Sequence, residues 1–179
     1  VSNLADSNRG WMNGGVCLVV GDRLHFYVGG VNWANGSRHA DPNNTGLAIL
    51  RRDGFTSMDA DENGGVLTTR PVVFSGSRLF VNVDAPKGKL TAEILDEEGG
   101  IIAPFNRTDC RTISDDSTKR EVRWDNARDL SAIAGRRVRF RFHLTNGSLY
   151  SFWVSQDERG ASNGFVAAGG PGLKGPRDE

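Results

Sequence analysis

The clearest pattern in the chain is the alternation of apolar and polar residues from Arg137 to Leu144, RVRFRFHL. Asn146-Gly147 and a second apolar-rich run to Val154 follow it. A period of two predicts a half-buried β-strand. Asn-Gly between two such runs predicts a two-residue hairpin, because both residues tolerate positive φ. Counted outward from that turn, Val138, Phe140, Phe142 and Leu144 share a face with Leu149, Ser151, Trp153 and Ser155. The opposite face carries Arg137, Arg139, Arg141 and His143 beside Tyr150, Phe152 and Val154. The first face is core. The second reads as a solvated face, a domain interface or a sugar platform, with the rings of Tyr150 and Phe152 expected to be covered.

Elsewhere the same reading gives short strands separated by turn residues. Residues 17–20 and 24–28 around Gly21-Asp22 predict a tight hairpin, apolar enough for one strand to be buried on both faces. Residues 1–15 read as irregular, an aperiodic loop follows at 29–46, and residues 47–50 form a third strand. Strands are then expected near 67–74, 78–83, 90–96, 112–113, 119–124, 138–144 and 149–154. Ser75-Gly76, Pro86-Lys87-Gly88 and Glu98-Gly99-Gly100 supply turn chemistry between them. Asp129 before a short apolar stretch ending at Gly135 predicts one helical turn. The expected fold is all-β: an antiparallel, jelly-roll-type β-sandwich preceded by three strands resembling a propeller blade. Its parts are residues 1–54 (blade-like strands and long loop), 55–155 (sandwich) and 156–179, a Gly/Ala/Pro-rich tail partly packed back.

Composition narrows the functional classes. With 22 Lys and Arg against 22 Asp and Glu among 179 residues, no net field draws in nucleic acid or an anionic membrane. The 23 glycines reinforce the all-β reading. Cys17 and Cys110, the only cysteines, read either as small buried hydrophobes or as a disulfide, with no zinc-ligand spacing around either.

Several stretches together carry a family resemblance: GLAILRRDGFTSMDA (46–60), VLTTRPVVF (66–74), RLFVNVDA (78–85), DCRTISDDSTKREVRW (109–124), RRVRFRFHLTNGSLYSFWVS (136–155) and NGFVAAGGPGL (163–173). They resemble bacterial proteins similar to glycoside hydrolases of families 32 and 43, which pair a five-bladed β-propeller with a C-terminal β-sandwich. The resemblance implies that residues up to about Phe55 correspond to a last propeller blade, with the earlier blades missing. It implies a secreted or periplasmic setting, and a propeller domain or a carbohydrate as partner. The catalytic carboxylates of those enzymes lie in propeller motifs that do not occur in this chain, so no catalytic residue carries over. The implied role is a non-catalytic accessory domain, with a free-standing carbohydrate-binding module as the alternative and a glycoside hydrolase as the third.

Candidate chemistry is sparse. Glycoside hydrolysis needs two carboxylates about 5 Å or 6.5–9.5 Å apart, whereas the acidic residues here fall in turn-like runs such as Asp96-Glu97-Glu98 and Asp115-Asp116. Asp59, Asp61 and Asn63, followed by Gly64, match the opening of a calcium loop, but Arg70 stands where an EF-hand places its closing Glu. The stretch therefore reads as a polar turn or a differently closed structural calcium site; no other cofactor is implied. Trp33, Arg38 and His39 in the long loop, with Tyr150, are the candidate sugar contacts, against a loop pinned by one aromatic. Trp124 and Trp153 are expected in the core.

Overall fold

The structure, a computed structural model, describes residues 9–13, 17–32, 39–164, 170–171, 173–175 and 177–179. The chain is all-β and antiparallel. It divides into two compact units: residues 1–52 with 165–177, and residues 53–164 with 178–179.

The first unit is built on β1 (Arg9–Asn13), β2 (Leu18–Val20), β3 (Arg23–Asn32) and β4 (His39–Arg51). β1 and β2 pair in succession along one side of β3, and β4 pairs along the other. The turn at Gly21 needs positive φ (57°), which glycine supplies without a Cβ clash. Three sequence expectations change here. β1 is a strand where an irregular segment was expected, and β3 and β4 extend into the expected loop, with Val31 paired to Ala40 and Asn32 to His39. Backbone pairing propagates along an established ladder even where side chains show no period. β3 is also not buried on both faces: Leu24 is buried while Tyr27 is 49% exposed.

The second unit is sandwich-like. One sheet has the order β10 (Asp116–Val122), β8 (Arg78–Asp84), β12 (Gly147–Ser155), β5 (Met58–Ala60). The other centres on β11 (Arg137–Thr145), flanked on one side by β6 (Gly65–Thr68) and β7 (Val72–Val73), and on the other by β9 (Lys89–Leu95). The strand expected over 67–74 is split because Pro71 has no N–H to give the ladder. Residues 112–113 contribute only a bridge, from Ile113 to Leu90. The expected helical turn is a 3-10 turn, Ser131–Ile133, whose first N–H (Ser131) donates to Asp129 Oδ1 at 2.9 Å.

The hairpin expected at Asn146-Gly147 does not form. β11 and β12 lie in different sheets, and Asn146 (φ 45°) carries the chain across from one to the other. The positive φ anticipated from Asn is present, but it serves a crossing arch instead of a ladder. Ala85 to Gly88 crosses likewise between β8 and β9, and Asp61 to Gly64 between β5 and β6. The three arches interlock: Asn146 N–H donates to Asp61 O at 2.9 Å, and a Cβ on Gly147 would stand 2.7 Å from the Ala85 Cβ. Gly88 has no room for a side chain beside the carbonyl oxygens of Thr145 and Asn146.

A bulge completes the departure. Leu149 pairs with Val83 and Ser151 with Asn82, so Tyr150 is an extra residue that inverts the strand's alternation. Phe152 and Val154, expected on the outer face, therefore join Leu149 in packing against the core. Phe152 meets Phe140 and Phe142 of the opposing sheet at ring-centroid distances of 5.7 and 5.1 Å. Trp153, expected in the core, turns outward instead. The arginine and histidine side chains of β11 consequently do not face Tyr150, Phe152 and Val154 across a shared ladder. Val138, Phe140, Phe142 and Leu144 are buried as the alternation requires, and Trp124 is buried against Phe105 at 5.4 Å in an edge-to-face contact.

Candidate functional site

The sugar contacts anticipated from sequence are not brought together. Trp33 and Arg38 lie outside the described residues. His39 opens β4 in the first unit, its backbone paired with Asn32. Tyr150 belongs to the second unit, half-buried at the bulge of β12.

Asp59, Asp61 and Asn63 fall on β5 and the arch after it. Asp59 Oδ1 accepts from Ser57 Oγ at 2.8 Å, and hydrogen bonds from Ser148 and Ser57 hold its carboxyl below the usual range. Asp61 Oδ1 accepts from Asn63 N–H at 2.9 Å, which makes a self-contained Asx turn. Gly64 closes the arch at φ 78°. Among the described residues no three His, Cys, Asp or Glu side chains converge on a common point. Both cysteines are free thiols; burial pushes the Cys110 thiol up, and the Asp125 charge adds to this against the Ala92 N–H.

Two side-chain groupings mark the outer faces of the sandwich. On the β10–β8–β12 sheet, Trp153 stacks on Phe80 at 5.8 Å with a 16° interplanar angle. The turn after β12 covers this pair: Trp153 Nε1 donates to Gly160 O at 3.0 Å, and Lys119 Nζ donates to Arg159 O at 2.9 Å. Gly160 runs so close over the ring that a Cβ would sit 2.8 Å from Phe80. Phe80 is buried and Trp153 half-buried in this arrangement, which ties the turn to the sheet.

The outer face of the β11 sheet holds a buried acid between two basic side chains. Glu93 on β9 is 5% exposed. Its Oε1 accepts from Arg141 Nη1 at 3.2 Å and lies 3.0 Å from His143 Nε2. Burial pushes the Glu93 carboxyl up, but hydrogen bonds and charge from His143 and Arg141 outweigh it and hold the group below its ordinary value. Arg141 Nε also donates to Thr68 Oγ1 at 3.1 Å, which ties β6, β11 and β9 together. Sequence reading misses Glu93. Its signal is one carboxylate inside the apolar run LTAEIL, and only the β9–β11 register reveals that it faces a basic strand.

The first unit has a different surface. Tyr27 is paired with Leu47 and His25 with Ile49, so these side chains share one face of the sheet. Tyr27, Leu47 and Ile49 are 49%, 47% and 55% exposed. Single exposed apolar residues are ordinary, but three adjacent on one sheet face form a patch.

No protein-family model, no curated protein and no solved structure matches this chain. Functional inference therefore rests on the fold and its surfaces.

Proposed function

We propose that this chain is a non-catalytic accessory β-sandwich of a glycoside-hydrolase-like protein, one that supports a carbohydrate-active propeller in a secreted or periplasmic setting. The observation that carries the reading is the apolar face of Tyr27, Leu47 and Ile49 on a sheet of β1–β4. Sheets exposed on one side ordinarily alternate apolar inward and polar outward. A sheet that keeps large apolar groups outward is suited to packing against another sheet, as blades do in a propeller. The sandwich next to it in sequence has an interior filled by side chains such as Phe140, Phe142, Leu79 and Ile94, which suits a supporting body. The proposal assigns no cofactor to the chain.

A free-standing carbohydrate-binding module is the second reading, favoured by one feature, a basic groove at the sandwich edge. Incubating the purified chain with a panel of aryl glycosides tests the non-catalytic assignment. No release of the aryl alcohol above the buffer rate is expected. Sustained turnover by the chain alone would overturn it.

A further inference from the structure

We infer that the open edge of the sandwich carries a binding groove for an acidic sugar residue, recognised through its carboxylate; this rests on the carbohydrate context proposed above. Residues 110–113 bridge the two sheets. Arg111 N–H donates to Arg123 O at 2.8 Å just beyond β10, and Ile113 exchanges two backbone hydrogen bonds with Leu90 of β9, at 2.8 and 3.0 Å. Trp124, packed beneath, donates from Nε1 to Ala92 O at 3.2 Å. Between this bridge and edge strand β10 lies a groove of about 270 Å³ lined by Arg111, Thr112, Ile113, Arg120, Glu121 and Arg123. That is close to the lower end of the roughly 300–1,000 Å³ typical of small-molecule sites, room for one ring.

Charge and chemistry select the ligand. Among the described residues, three guanidinium groups line the groove against one carboxylate. That carboxylate, Glu121, accepts from Arg78 Nη1 at 2.9 Å as well as from Arg123 Nε at 2.6 Å, so a cation outside the groove shares in neutralising it. Arg111 pairs with Asp125 at 2.6 Å and Arg120 with Asp115 at 3.4 Å, and neither acid lines the groove. Both arginines are more than half exposed, and exposed pairs contribute little, so an entering anion recruits these groups at small cost. A guanidinium fork matches a carboxylate bidentately. Among the described residues no aromatic ring lines the groove, so the face-on stacking that serves neutral sugars has no platform in them. The backbone pinning on both sides preforms the groove.

The test is isothermal titration calorimetry of the whole chain with a short oligogalacturonate, a neutral galacto-oligosaccharide of equal length, and sodium sulfate. Binding of the oligogalacturonate alone, weakened by added salt, is expected. Arg111→Gln and Arg120→Gln should each weaken it about ten- to hundredfold, the range for losing charge-assisted hydrogen bonds. Arg139→Gln, on the outer face of the other sheet, should leave it unchanged, and unchanged melting of all three variants excludes misfolding. Neutral oligosaccharide bound equally well and indifferent to the arginine changes would overturn the groove while leaving the carbohydrate context standing. Sulfate bound as tightly as oligogalacturonate would overturn the sugar assignment, and absence of all binding would overturn the inference outright. The aryl-glycoside assay tests the non-catalytic reading separately.

Discussion

Glu93 shows how one residue couples sheet register to the acid stability of the fold. It is nearly fully buried, and the Arg141 guanidinium and the His143 ring are both within hydrogen-bonding distance of a single carboxylate oxygen. Its carboxyl titrates below the ordinary value of 4.5 when folded, despite burial, so the folded state binds the proton less readily than the unfolded chain. The sign follows: this group contributes stability that is fully present above the unfolded value and is lost as pH falls through the lower folded one. Glu93→Gln should therefore flatten the decline in stability below about pH 4.5, measured as urea midpoints across an acid series. Midpoint-against-pH curves that stay parallel for the two proteins would show that Glu93 does not carry the coupling. The alternation of β11 announces that Arg141 and His143 share a face. It cannot announce which strand lies opposite, and so the acid stays hidden.

At the scale of elements, the sandwich is organised by three arches and a bulge where a local reading expects one hairpin. Asn146-Gly147 carries the turn signal, and Asn146 does adopt positive φ. Whether such a turn closes a ladder or crosses between sheets depends on what each strand finds beside it. β11 finds β6, β7 and β9; β12 finds β8 and β5. Stacking of the arches leaves no space at Gly88 next to Thr145 and Asn146. Gly88→Ala should therefore destabilise the chain by about 1–3 kcal/mol, the usual cost of overpacking. Gly175, where an added Cβ meets nothing within 4 Å, provides the comparison, and Gly175→Ala should be close to neutral. Equal urea midpoints for the two variants would contradict the interlocked arches. The bulge at Tyr150 has a similar lesson: one extra residue in the strand exchanges the roles of Phe152 and Trp153, and no residue type in SLYSFWVS marks where it falls.

At the scale of the whole molecule, both units leave large apolar groups exposed among the described residues, but they arrange them differently. The sandwich encloses Leu79, Val81, Leu90, Ile94, Phe140 and Phe142 almost entirely and exposes Phe55, Met58, Val66, Val73 and Ile101, whereas Tyr27, Leu47 and Ile49, about half exposed, gather on one face of the β1–β4 sheet. If that face awaits a partner sheet, the native chain should bind a hydrophobic fluorescent dye. The double substitution Leu47→Ser with Ile49→Ser should lower the dye signal measurably while leaving the near-ultraviolet circular dichroism of the chain unchanged. An undiminished dye signal would place the accessible apolar surface elsewhere and remove the main support for the accessory role.

By itself, the sequence determined most strands of the sandwich, the apolar positions of β11 and the locations of the turns, because these depend on residues a few positions apart and on a backbone period of two. The all-β class follows from the same local terms. Tertiary structure alone decided the partners: that β11 and β12 part into separate sheets, that Phe152 faces inward and Trp153 outward, and that Glu93 meets Arg141 and His143. Those outcomes depend on contacts between residues far apart in the chain, where many pairings satisfy the same hydrophobic pattern and close packing selects one. The groove of Arg111, Arg120 and Arg123 belongs with them, since its walls meet only after residues 110–113 are pinned to both sheets.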